Sequence, residues 1–347
     1  MNRKANVYDV LKTVTTLLVI VGHVAIMWTD TGAFSPVSSS GSLAILANFI
    51  YAFHMPLFFF VSGAVYRMCL KRPGGYDRGR ALIRRKAQRL LVPYLLVGIC
   101  YVAPLMEAMH LTTDGYGRFL VQGIFLARNC RHLWFLLALF WIFFFFALVS
   151  MVPPLREAME GEDEAAERSA LIGILLFLVV IGAVAFHLTN RTFQIKEAVY
   201  ESQYFCMGML AQMYAKRIDG FAVKYKWTLI LAGLLVFALL PLSAYPFVVV
   251  RAVLGMYFLY GDCLFLERAS GFVTSGSYAA ISGKAMEIYL IHPMINYLVF
   301  YFLGDIIHYA WAMFLIALAI TLVVSERLAA LVVRVRDRCL LGAGKDI

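Results

Sequence analysis

Ten stretches of about 20 residues, each dominated by apolar side chains, decide what this chain can become. They lie near 7–28, 43–66, 90–109, 133–152, 169–188, 199–215, 227–241, 246–266, 285–303 and 308–327, and Gly/Ser/Pro clusters or charge runs separate them. A helix of that length matches the ~30 Å hydrocarbon core of a bilayer. Of 347 residues, 62% are apolar and 15% charged, whereas a soluble domain carries about a quarter charged. One aqueous core cannot hide so much apolar surface. The expectation is an all-α polytopic integral membrane protein of about ten transmembrane helices, built as a single membrane-embedded domain over residues 1–347. The first run carries Asp9, Lys12 and His23 and lacks a small-residue cleavage site, so it is read as a retained helix rather than a signal peptide.

Basic residues supply the orientation. With the N-terminus inside, 24 of the 31 Lys and Arg fall on the inner side, including nine within 67–89, four within 216–226 and five from Arg327 onward. That asymmetry predicts two cytoplasmic termini. It also assigns the net charge of +10 to membrane topology and anionic-lipid contacts, leaving no role for nucleic acid. The six cysteines (Cys69, Cys100, Cys130, Cys206, Cys263 and Cys339) are scattered, and only Cys130 falls in an expected outer loop. Neither a disulfide framework nor a metal site is expected.

Ionisable groups inside a span are costly unless they face a partner or a cavity, which makes each a functional candidate. The first helix has the richest set. At ~100° per residue, Lys12 and His23 lie ~20° apart, and Asp9 and Thr16 share that face. The stripe would run ~16 Å from an inner cation to His23. Its plain alternative is an Asp9–Lys12 ion pair at the interface, with His23 bonded to a neighbouring helix. The second helix reads FHMPLFFFVSG, placing His54 near mid-membrane, where it could face His23. The segment from Arg78 to Arg89 is the most basic, and Arg84, Arg85, Lys86 and Arg89 open the third helix. Such a group suits several phosphates, as in coenzyme A. No Walker motif or glycine-rich fingerprint accompanies it, which excludes a nucleoside triphosphatase. On the outer side, Arg131, His132 and Trp134 precede the fourth helix, Glu201 stands in the sixth and Arg251 in the eighth. A rim of mixed charge with aromatics suits a polyhydroxylated ligand, although Trp134 also fits simple belt anchoring. EIYLIHP in the ninth helix puts Tyr289 and His292 on one face.

Five of these segments in order (YDVLK with LLVIVGH, FHMPLFFFVSG, RLLVPY, HLWFL and EIYLIHP) resemble membrane-bound acyltransferase family 3, the O-acyltransferases of bacterial glycans. YDVLK and FHMP resemble the branch of fucose 4-O-acetylases. The resemblance implies a cytoplasmic acyl-CoA, most simply acetyl-CoA, as donor, a carbohydrate hydroxyl on the outer side as acceptor, and a bacterial cytoplasmic membrane as location. It maps the family's histidine to His23 and its basic partner to Lys12, where arginine is the commoner residue. The coenzyme A cluster maps to Arg85, Lys86 and Arg89, with Arg84 beside it. His23, Lys12 and Asp9 are then the expected catalytic group, and His54, Arg131, His132, Trp134, Glu201, Arg251 and His292 the expected acceptor contacts. His23 would act as general base or as a covalent acyl carrier. A transporter or flippase for a glycan is the competing function. The oligomeric state is not legible.

Overall fold

The computed structural model describes residues 6–34, 36, 38–72, 79–112 and 115–343, without the side chains of Ser270 and 337–343. Arg78 and the Cys339 side chain therefore lie outside the described residues. The remaining five cysteines are free thiols. Every regular element among the described residues is helical. The principal helices are α1 (Val7–Ala25), α2 (Gly41–Tyr51), α3 (His54–Leu70), α4 (Gly79–Ala108), α5 (Trp134–Val149), α6 (Glu164–Phe186) and α7 (Ile195–Met213). They continue as α8 (Ala215–Lys224), α9 (Trp227–Leu239), α10 (Tyr245–Arg268), α11 (Gly276–Ser282), α12 (Ala285–Leu303) and α13 (Ala310–Ala343).

Among the described residues eight segments are long and apolar enough to cross a bilayer, and α8 with α9 makes a ninth if the two form one broken span. The difference from the expected ten has a physical reason. At 19 residues α7 is long enough, but it carries Lys196, Glu197, Glu201, Gln203 and Gln212. Glu201, Ser202 and Gln203 are buried inside protein, so its polarity need not meet lipid. Helix α9 has 13 residues, or ~20 Å, which is short of the ~30 Å core by itself.

The chain divides into two compact units, residues 1–54 with 225–347, and residues 55–224. In the first, α1 is the central helix and packs against α2, α10, α11, α12 and α13. Its start is fixed by a capping box. Asn6 Oδ1 accepts from the Asp9 backbone N–H at 3.0 Å, and Asp9 Oδ2 accepts from the Asn6 N–H at 3.4 Å, satisfying two otherwise orphaned donors. Val10, Leu11, Val19, Ile20 and Val24 are then fully buried along it.

In the second unit, α7 packs against α5 and α6, and α3 crosses it at two glycines. A Cβ at Gly63 would collide with the Phe205 carbonyl, and one at Gly208 with the Phe60 carbonyl. The small residues are thus what lets the two backbones approach. At one end of this crossing Arg67 grips Glu167 of α6 through paired contacts of 2.7 and 2.8 Å. Lys71 adds a third at 3.0 Å, and Gln212 of α7 accepts from the same arginine. Helix α4 contains two π-turns, Ala87–Leu91 and Gly98–Val102. Pro93 and Pro104 follow them closely. A proline cannot donate to the carbonyl four residues back, and a widened turn accommodates the break.

Candidate active site

The first unit brings together His23 of α1 and His292 of α12. Their rings stack with centroids 4.9 Å apart, and His23 Nδ1 lies 2.7 Å from His292 Nε2. A second contact settles which nitrogen carries which proton. His292 Nδ1 is 3.0 Å from the Ile288 carbonyl, an acceptor only, so Nδ1 holds the hydrogen. In the neutral ring, Nε2 of His292 is then the lone-pair nitrogen and accepts from His23 Nδ1–H. By the same chain of roles, the basic nitrogen of His23 is Nε2. His292 is completely buried, and Asn296, one turn further along α12, donates to the His23 carbonyl at 2.8 Å. The Asn296 Oδ1 is buried and finds no hydrogen-bond partner among the described residues.

Tyr51 stands beside this pair. Its ring centroid is 6.0 Å from His23 and 4.6 Å from His54. The expected facing of His54 and His23 is therefore replaced by a tyrosine lying against both rings. His54 is buried and bonds the Ile50 carbonyl through Nδ1 at 3.0 Å. Tyr289 does accompany His292, with ring centroids 6.1 Å apart. Asn296 was within reach of sequence reasoning, being one more polar residue in an apolar helix. Tyr51 was not, since nothing distinguishes it among 19 tyrosines.

The rest of the α1 stripe serves its own helix first. Asp9 closes the capping box, and no ion pair joins it to Lys12 among the described residues. The Thr13 hydroxyl donates to the Asp9 carbonyl at 2.8 Å and Thr16 to the Lys12 carbonyl at 2.9 Å. Asp9 is also close to Tyr278 of α11. Burial, and then the charge of Asp9, raises that phenol above its ordinary value, while Thr13 pulls it the other way.

In the second unit the basic group divides. Arg84, Arg85 and Arg89 are exposed, whereas the Lys86 ammonium sits 3.5 Å over the Phe143 ring, a cation–π contact with α5. The outer candidates of this unit are Arg131, His132, Trp134 and Glu201. Arg131 adopts a left-handed backbone, φ 53°, and its buried Nε has no hydrogen-bond partner among the described residues. His132 is buried, and the Trp134 ring packs 6.1 Å from Phe59. Glu201 is buried with Oε2 likewise unpartnered, one turn from Glu197, which pairs with Arg191 at 3.3 Å. Arg251 and His54 lie in the first unit with the histidine pair. Among the described residues no cluster of His, Cys, Asp or Glu has the makings of a metal site.

A tautomerically defined histidine pair, with His292 buried and His23 partly so, is equipped for proton or acyl transfer. Neither the curated proteins nor the solved structures contain a match to this chain. The sequence model of an acyltransferase domain, by contrast, matches residues 6–325, taking in His23, the arginines of α4 and His292 together. The chain belongs to membrane-bound acyltransferase family 3.

Proposed function

We propose that this protein is one membrane-embedded acyltransferase domain that moves an acetyl group from cytoplasmic acetyl-CoA to a sugar hydroxyl of a glycan or glycolipid. The acceptor is met at the outer face of a bacterial cytoplasmic membrane, as for the fucose 4-O-acetylases. The observation that carries the reading is the His23–His292 pair. His23 Nε2 takes the proton of the acceptor hydroxyl while the hydroxyl oxygen attacks the thioester carbonyl. The new C–O bond forms as the C–S bond breaks, and the proton passes from His23 to the coenzyme A sulfur. While His23 is cationic, the lone pair of His292 Nε2 faces its Nδ1–H and stabilises the charge. Arg84, Arg85 and Arg89 are assigned to the donor's phosphates, and Lys12 to the polar part of its arm as a point charge. Asp9 is assigned to setting the start of α1.

The test uses purified protein in nanodiscs, labelled acetyl-CoA and an extracted glycolipid pool. His23→Ala should bind acetyl-CoA as the wild type does and lose transfer by ~10²-fold or more, the usual contribution of a positioned base. Transfer near the wild-type rate would overturn the assignment. Glycan flux without coenzyme A release would replace the enzyme by a transporter. Label trapped on His23 before acceptor is added would show a covalent acyl-histidine, which divides the same transfer into two steps.

A further inference from the structure

A cavity of about 590 Å³ lies in the first unit, bounded by Ile45, Asn48, Tyr51, Phe237 and Arg251. Its volume suits a small polar ligand. One of these lining residues, Tyr51, is also the one whose ring lies against His23 and His54. Two of its walls are unlike lipid-facing surface: the Asn48 amide and the Arg251 guanidinium.

Arg251 belongs to the apolar span Tyr245–Arg268. Its NH1 donates to the carbonyls of Leu240 and Leu242 at 3.1 and 3.3 Å, which lie just past the C-terminal end of α9. Those contacts satisfy orphaned carbonyls and lock the guanidinium in place at the cavity wall. They leave its charge uncompensated. Among the described residues no carboxylate pairs with Arg251, and its Nε is buried without a hydrogen-bond acceptor. A cation in a span without a counter-ion is costly. A fixed planar fork with N–H groups to spare is the geometry that receives a phosphate or carboxylate.

We propose that this cavity is the acceptor site and that the acceptor carries an anion, a phosphate or carboxylate attached to the sugar, which Arg251 receives while Asn48 and Tyr51 meet the hydroxyls. The identity of the occupant as acceptor rests on the acyl-transfer reading, but the binding does not. The sugar's own anion and the phosphate of a neighbouring lipid headgroup share this chemistry, and the experiment separates them.

Full-length protein in nanodiscs of zwitterionic lipid is titrated with glucose, glucose 1-phosphate and glucuronic acid, with dissociation constants read by saturation-transfer NMR. The charged sugars should bind about tenfold more tightly than glucose. Arg251→Gln should abolish that preference, Arg251→Lys should retain part of it, and Asn48→Ala should weaken all three sugars alike. His23→Ala should keep the preference in full, and a wild-type protein that binds anionic sugars yet transfers nothing would sink the enzymatic reading while sparing this one. In nanodiscs containing phosphatidylglycerol, loss of the preference in the wild type would assign the anion to the lipid headgroup. Its persistence would assign it to the sugar. Equal affinity for glucose and its charged analogues in both lipid mixtures, or an undiminished preference in a folded Arg251→Gln protein, would overturn the proposal.

Discussion

A neutral imidazole has one N–H to give and one lone pair to offer, and His292 gives its N–H to the Ile288 carbonyl. That choice makes it an acceptor toward His23 and fixes the tautomer His23 must adopt. His292→Ala should lower kcat by about 10- to 10²-fold with the KM for acetyl-CoA little changed, because the tautomer of His23 is no longer enforced. His292→Gln, whose amide oxygen is able to accept from His23, should recover part of the loss. A residue that merely packed would be rescued better by leucine than by glutamine, and kinetics of the three variants decide it. His23 and His292 were legible because an ionisable side chain in an apolar run stands out on solvation cost alone. Their partnership was not, since a sequence separation of 269 carries no signal of contact. The Asp9–Lys12–Thr16 stripe illustrates the converse. A shared helical face was readable, yet side chains on it spend their hydrogen bonds on the backbone of α1.

At the scale of elements, the α3–α7 crossing depends on two hydrogens where any other residue has a Cβ. Gly63→Ala and Gly208→Ala each drive a methyl into a carbonyl and should destabilise the protein by about 1–3 kcal/mol, as overpacking does. Gly173→Ala in α6, whose new Cβ meets nothing within 4 Å, should leave the melting temperature in detergent unchanged or slightly raised. Equal melting curves for all three would show that the crossing is not close-packed in the membrane. Helix positions were accessible from sequence because 20-residue apolar runs are a strong signal. The π-turns of α4 were not, as RLLVPY reads like any apolar helix with a proline.

For the whole molecule, charge placement and helix composition make different demands. Lys216, Arg217, Lys224 and Lys226 should lie on the cytoplasmic side, which requires α7 to cross the bilayer despite its polar residues. Cysteine-accessibility labelling at the positions of Arg80 and Lys216 should place them on one side and that of Arg118 on the other. Arg80 and Arg118 on the same side would rule out the arrangement with both termini inside. Lys216 opposite Arg80 would mean that α7 does not span. Counting spans by apolarity succeeds for helices that touch lipid. It does not count α7, since a helix buried by its neighbours is free to be polar.

The first π-turn of α4 has a consequence for how the donor is recognised. A π-turn holds one residue more than an α-helical ladder needs. Deleting Gln88 from Ala87–Leu91 would let the ladder close as ordinary α-helix with no hydrogen bond forfeited. The wide turn spreads over one more residue about the same rotation and rise that an ordinary α-turn covers. Everything before it would therefore keep nearly its present bearing, with Arg84 and Arg85 still exposed and Lys86 still over the Phe143 ring. The turn works as slack, taking up a surplus residue without disturbing the azimuth of the arginines. The deletion should therefore yield a protein that inserts, melts and binds acetyl-CoA nearly as the wild type does. Binding lost in the deletion, with the melting temperature kept, would mean that the widened turn itself meets the donor.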